Sequence, residues 1–295
     1  MNRRSFIQQS SLTVLSVSAF GNIQWNGHHF VANNPTTTDI LGPFYRPGAP
    51  LRTNIISAGS TGTPLNLVGT IFSENGKSGL KNALVEIWQC NEKEYYDNVS
   101  DDYLFRGAQR TGAGGKYQFK TIIPVPYKPN PNAESWRPAH IHMRVSVPGQ
   151  QDLITQIYFK GDKHIETDRS ASSPDAESRI LAISSNSAGE KEVVFNVVMR
   201  KEFPLDANSF EKIAGLYRMD RDMIEFRKMD DLLFVKLNGQ MVASLKYIGN
   251  NTFEEKIERT RVEFELLPNG GAKALLNFRG REMTGEKFMK YNEQG

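Results

Sequence analysis

The segment Trp136-Arg137-Pro138-Ala139-His140-Ile141-His142, with Tyr127 upstream, holds the side chains of this sequence best suited to chemistry. Along a strand side chains alternate, so His140 and His142 project from one face and Ile141 from the other. Two imidazoles on a stiff backbone are the beginning of a metal site, although an isolated His-x-His is weak evidence by itself. Phenolates as further ligands would narrow the metal, because hard anionic oxygen combined with imidazole suits ferric iron.

The remaining candidates are poorer. The chain has five histidines. His28 and His29 are adjacent, so a strand would send them to opposite faces, and both lie in a polar leader. His164 follows Gly161-Asp162-Lys163 and reads as part of a surface turn. Cys90 is the only cysteine, so no intrachain disulfide can form. It reads as a small buried residue and not as a nucleophile.

The elements that must position these groups read as β from Leu65 onward. Leu67–Phe72, Ala83–Trp88, Tyr117–Ile122, His140–Val147, Leu153–Phe159 and Val193–Met199 are expected strands, separated by Gly- and Pro-rich turns. Ile141, Met143, Val145 and Val147 take the face opposite the histidines. Residues 124–138 form a proline-rich loop, and the polar segment from about 165 to 190 reads as a loop. Short strands in this rhythm predict an antiparallel β-sandwich.

A second unit begins near Leu205. Its runs Leu232–Leu237, Val242–Tyr247, Val262–Leu267 and Ala274–Phe278 are separated by Asn238-Gly239, Gly249-Asn250-Asn251 and Pro268-Asn269-Gly270-Gly271. Asn-Gly between alternating runs is a strong hairpin signal. The expectation is a small antiparallel meander, curled or closed to hide its edges. It has no histidine or cysteine, so it is a poor place for metal chemistry.

The N-terminus differs from the rest. Asn2-Arg3-Arg4-Ser5-Phe6-Ile7 is a twin-arginine pattern, followed by a weakly apolar run from Leu12 to Phe20 with Ser16, Ser18 and Ala19 near its end. Residues 1–20 therefore read as an export signal to the periplasm or cell envelope. Cleavage near Ala19 removes Arg3 and Arg4 and no acidic residue, so the net charge of +3 falls by two. No stable membrane span is expected in the mature chain. The domain plan is then signal 1–20, β-sandwich 21–203 and β-barrel-like module 204–295. Lys and Arg total 36 against 33 Asp and Glu, which gives no electrostatic footprint for nucleic acid. At 39% hydrophobic and 23% charged residues the chain is globular and not disordered.

Taken together, Tyr127 and the segment from Trp136 to His142 resemble the intradiol ring-cleavage dioxygenases. The resemblance extends to Gly42-Pro43-Phe44-Tyr45, to Val85-Glu86-Ile87-Trp88-Gln89 followed by Tyr96, to Gly115–Ile122 and to Thr155-Gln156-Ile157-Tyr158-Phe159. It covers roughly residues 36 to 165. It implies Fe(III) held by Tyr96, Tyr127, His140 and His142. Tyr95 is the competitor for the first of these positions; Tyr96 is preferred because it lies eight residues after Trp88, as in the family pattern.

The resemblance also implies a catechol-type substrate and O2, with ring opening between the hydroxyl-bearing carbons to a muconate-type diacid. Tyr127 then also accepts a substrate proton. Arg137 stabilises negative charge developing on the ring, and Gln156 assists by hydrogen bonding. Lys128-Pro129-Asn130 departs from the family pattern beside the substrate, so specificity does not carry over. Lacking the helical N-terminal domain of catechol-type members, the catalytic region looks closer to the protocatechuate-type subunit, and a homo-oligomer is possible. The C-terminal module is similar to lipocalin-like β modules. Two other readings stay open: an inactive exported protein that binds an aromatic or a glycan on the same scaffold, and a zinc site.

Overall fold

A computed structural model describes residues 23–25, 30–32, 35–129, 135–148, 150–201, 207–229 and 232–290. The export signal at residues 1–20, His28 and His29, and the expected boundary between residues 203 and 204 lie outside the described residues. Among the described residues no helix is long and apolar enough to cross a membrane.

The chain is all-β and divides into two compact units. Ala49–Met143 and Gln156–Arg200 belong to the first; Thr38–Gly48, Arg144–Thr155 and the chain from Lys201 onward belong to the second. The sandwich strands are β1 (Pro64–Phe72), β2 (Leu84–Trp88), β3 (Arg106–Arg110), β4 (Lys116–Ile122), β5 (His140–Ser146), β6 (Leu153–Phe159), β7 (Ile180–Leu181), β8 (Ser184–Ser185), β9 (Lys191–Val194) and β10 (Val197–Val198). One five-stranded sheet runs in the order β7-β6-β5-β2-β3. The other is β8-β9-β1-β10, with β4 also paired to β1.

The sheets are not purely antiparallel as the sequence predicted. β9 and β10 pair parallel to β1, and β7 pairs parallel to β6. These pairs join segments separated by long connections, which parallel neighbours require and tight hairpins cannot supply. β6 is buried at every position, as expected for a strand covered on both faces. Its apolar residues Leu153, Ile154, Ile157, Tyr158 and Phe159 flank the polar pair Thr155 and Gln156. Gly69 in β1 is fixed by packing, since a Cβ there would collide with the Phe195 carbonyl.

The second unit contains a closed eight-stranded antiparallel barrel, β11 (Gly215–Met219), β12 (Asp222–Met229), β13 (Leu232–Leu237), β14 (Gln240–Gly249), β15 (Thr252–Glu255), β16 (Thr260–Leu266), β17 (Ala272–Phe278) and β18 (Arg281–Lys290). Each strand pairs with the next, and β11 closes onto β18. Positive φ at Asn238 and Gly239, at Asn250 and Asn251, and at Arg279 and Gly280 makes the tight turns whose twist suits a hairpin. β16 alternates buried and exposed residues from Thr260 to Glu265. The barrel interior carries an apolar core, in which Tyr217, Phe226, Phe253 and Phe264 pack edge to face. Phe210 and Ile213 from α1 (Ala207–Ile213) join the same core.

Candidate active site

All four side chains expected as ligands lie in the first unit and meet in its interior. β5 presents His140 and His142 from one face, and their Nε2 atoms stand 3.2 Å apart. The His140 Nδ1–H donates to the Pro138 carbonyl at 2.7 Å, which turns its Nε2 lone pair inward. The Tyr96 hydroxyl lies 3.4 Å from His140 Nε2. Tyr127 completes the group: its ring centroid is 5.3 Å from that of Tyr96 and 5.5 Å from that of His140.

Two loops set the phenols. Tyr127 and Arg137 form an antiparallel bridge, with Arg137 N donating to Tyr127 O at 2.8 Å and Tyr127 N to Arg137 O at 3.1 Å. One backbone pairing therefore places a phenol and a guanidinium side by side. Tyr96 is held by its neighbour Asp97, whose carboxylate accepts from Ser100 N, Ser100 Oγ, Leu104 N and Val99 N. The buried Arg106 donates to Asp97 O at 2.7 Å and to Asn98 Oδ1 at 2.8 Å, tying this loop to the start of β3. The same loop separates the two competing tyrosines. Tyr96 is 5% exposed and faces the histidines, whereas Tyr95 is 50% exposed.

Burial holds the four side chains in their neutral forms. Burial pushes both imidazoles well below the ordinary histidine range; Arg137 adds to this for His140, and His140, Arg137 and Arg106 add to it for His142. Their lone pairs are therefore available near neutral pH. Burial raises both phenols, Tyr96 further by the proximity of Tyr127, while Arg137 opposes the rise at each. Among the described residues the buried His142 Nδ1 has no hydrogen-bond partner, and the ring's polar contact is made through Nε2. Two converging lone pairs and two phenols inside a low-dielectric wall fit a highly charged cation, which would draw off the phenolic protons. Among the described residues no group of three or more His, Cys, Asp or Glu is placed to hold a metal ion. The donor set is mixed, two phenols with two imidazoles.

Arg137 is 9% exposed and Gln156 fully buried, and the two are joined by an Nη2–Oε1 hydrogen bond of 3.0 Å. Two further partners escaped the sequence reading. Tyr158 shares a face of β6 with Gln156 and lies 3.2 Å from the same Nη2, so the period-two rule could have found it. Asp168 pairs with Arg137 Nε at 2.8 Å from a turn-rich segment whose sequence carries no periodic signal. Trp88, used above only as a spacing landmark, stacks on His142 across neighbouring strands. Trp136 and His164 stack on each other, 5.5 Å apart. Burial pushes the Cys90 thiol to about 11, and its Sγ–H donates to Val125 O. It is buried and protonated, as a packing residue should be.

Fold and site together define a β-sandwich protein with a buried centre of two phenols, two imidazoles and a neighbouring guanidinium. A dioxygenase family model matches residues 40–201, more than half of the chain, and the chain belongs to the intradiol dioxygenase family. It is 33% identical over 156 residues to a chlorocatechol 1,2-dioxygenase of Rhodococcus opacus, a match covering 46% of this chain and 60% of that protein. It is 36% identical over 150 residues to catechol 1,2-dioxygenase 2 of Acinetobacter lwoffii, covering 45% and 54%. The chain thus spans little more than half the length of these relatives. Among solved structures it resembles 3-chlorocatechol 1,2-dioxygenase from Rhodococcus opacus 1CP, with 26% identity, a TM-score of 0.51 and coverage of 58% and 74%. Catechol 1,2-dioxygenase from Pseudomonas arvilla C-1 gives 27%, 0.52, and coverage of 59% and 64%. These relatives are named catechol or chlorocatechol 1,2-dioxygenases.

Proposed function

We propose that this protein is an exported Fe(III) intradiol dioxygenase that opens a catecholic ring between its hydroxyl-bearing carbons with O2, giving a muconate-type diacid. The observation that carries the reading is the convergence of the Tyr96 hydroxyl, His140 Nε2 and His142 Nε2 at hydrogen-bond separations, with the Tyr127 phenol against them. Family membership and the catechol-type relatives support the same reaction class.

In this reading Tyr96, Tyr127, His140 and His142 hold the ferric ion. When bound, the ion withdraws electron density from a catecholate and makes its ring reactive toward O2. Tyr127 accepts one catechol proton on its oxygen, and Arg137 favours the anion there against the burial that raises the phenol. Arg137 places positive charge where negative charge develops on the ring, and Gln156 fixes the guanidinium by accepting from Nη2. Trp88, Ile141 and Met143, all buried, exclude water from the back of the site. The twin-arginine leader supports export of the folded protein.

A visible spectrum of the purified protein, before and after anaerobic catechol, with oxygen uptake on a panel of catechols, tests the reading. The expected result is a tyrosinate charge-transfer band that shifts with catechol, and turnover in air. A colourless iron-replete protein overturns it. A coloured protein without turnover makes the chain a binding protein on this scaffold, and zinc as the resident metal overturns the ferric assignment.

A further inference from the structure

The guanidinium of Arg137 is buried, and Asp168 supplies its countercharge. Arg137 Nε donates to Asp168 Oδ2 at 2.8 Å and Nη2 approaches Oδ1 at 3.4 Å. Side-chain exposure at the pair is 10% and 8%. A planar guanidinium engaged on two nitrogens by one carboxylate has its plane fixed, not only its position. Asp168 is itself anchored, since Oδ1 accepts from Ser170 N at 3.0 Å and Ala171 N at 2.8 Å. Its backbone N–H donates to His164 O and Ile165 O. A carboxylate held by backbone amides in this way offers a stationary reference.

The other side of the fork is equally determined. Nη2 reaches Gln156 Oε1 at 3.0 Å and the Tyr158 hydroxyl at 3.2 Å, and that hydroxyl donates to Gln156 Oε1 at 3.0 Å. The Gln156 carbonyl oxygen is thus taken by two donors, which settles which end of the amide faces Arg137. The backbone bridge to Tyr127 fixes the Arg137 Cα, but a long side chain with several rotatable bonds needs a second restraint to aim its end.

We propose that Asp168 is a positioning residue that aims Arg137 at the reacting ring through the Asp168–Arg137–Gln156/Tyr158 network, and so sets kcat without contributing to iron or catechol binding. This rests on the ring-cleavage reading above. A misaimed group near the reacting atoms costs up to about 100-fold in rate.

The test is a mutant cycle on the full-length iron-loaded protein: wild type, Asp168→Asn, Arg137→Ala and the double variant. Each is assayed for kcat and KM with catechol, for 4-nitrocatechol affinity from the spectral shift, and for the tyrosinate band. Asp168→Asn should lower kcat about 10- to 100-fold, leave nitrocatechol affinity within about threefold, and leave the band unmoved. The double variant should be no slower than Arg137→Ala alone, because a residue acting only through another adds nothing once that one is gone. Losses that multiply, or wild-type kcat in Asp168→Asn, overturn the proposal. Should Asp168→Asn fail to fold, Asp168→Glu keeps the charge and displaces the carboxylate. It should lose at least about fivefold in kcat in the wild-type background and nothing in the Arg137→Ala background, and an unaltered kcat overturns the proposal. If the wild-type protein turns over no catechol, the ring-cleavage reading fails. A crystal structure of the folded Asp168 variant then decides separately: Arg137 turned away from Gln156 supports the positioning role, and an unmoved guanidinium refutes it.

Discussion

Trp88 lies flat on His142, with ring centroids 4.8 Å apart and planes 6° from parallel. The two residues sit on adjacent strands, and Trp88 is 2% exposed. The indole face thus fixes the imidazole plane, a restraint that Nδ1, with no hydrogen-bond partner among the described residues, does not supply. Trp88→Ala should cost about 3–5 kcal/mol in unfolding free energy, as for other buried aromatic truncations. Freed of its plane, His142 should bind iron about 10- to 100-fold more weakly, in the range seen when support behind a ligand is lost. Denaturant unfolding and a competitive chelator titration measure the two effects. An unchanged iron affinity would show that the stack packs the core and does not orient the ligand.

Tyrosine replacements should separate the neighbours at the ligand position. Tyr96→Phe and Tyr127→Phe should each weaken or shift the visible band and lower kcat at least about 100-fold, having removed a donor of the reaction centre. Tyr95→Phe, altering a half-exposed ring, should do neither. A band that responds to Tyr95→Phe and not to Tyr96→Phe would reverse the assignment.

Asp97 gives the Tyr96 loop a pH signature. Burial pushes its carboxyl up, but the Ser100 hydroxyl and the Ser100, Leu104 and Val99 amides outweigh it and hold the group at about 2 against an ordinary 3.8. The folded value is depressed, so this contribution is complete above pH 3.8 and disappears as pH falls through about 2. Asp97→Asn should be about 1–3 kcal/mol less stable at pH 7, because donors in the loop lose their acceptor. Its stability should fall less steeply than that of wild type between pH 4 and 2. Urea unfolding across pH 2–7 checks this, and parallel curves would remove Asp97 from the account.

Close packing of aromatic rings in the barrel core should keep apolar ligands out. Phe253 is fully buried and touches Phe210, Tyr247 and Phe264. Phe253→Ala should cost about 3–5 kcal/mol and open a dry cavity. Benzene or xenon should then stabilise the variant and not the wild type in thermal melts. Equal stabilisation of both would mean that the interior already accepts guests.

The histidine pair was legible because strand periodicity acts locally, and Ile141, Met143 and Val145 are buried opposite His140 and His142 as that rule requires. Barrel hairpins at Asn238-Gly239 and Asn250-Asn251 were legible for the same reason, since positive φ favours those residues. β3 was missed because Arg106-Gly107-Ala108-Gln109-Arg110 has no apolar alternation; its first three residues are buried by tertiary packing, and Arg106 by its ties to Asp97 and Asn98. β12, β15 and β18 were hidden because charged residues, among them Glu225, Arg227, Glu254, Glu255, Glu282 and Glu286, break up their apolar content. Asp168 was invisible because its partner stands 31 positions away, and no local pattern encodes a contact across that distance. Between Tyr95 and Tyr96, the spacing from Trp88 favoured Tyr96, and in the folded loop Tyr96 is buried and Tyr95 half exposed.

The mutual backbone hydrogen bonds between Tyr127 and Arg137 close like a clasp across nine intervening positions. Phenol and guanidinium ride on the clasp itself, so the spacing between them is set by two hydrogen bonds and not by the length of chain that joins them. A change in the number of residues between 127 and 137 should leave that spacing as it is.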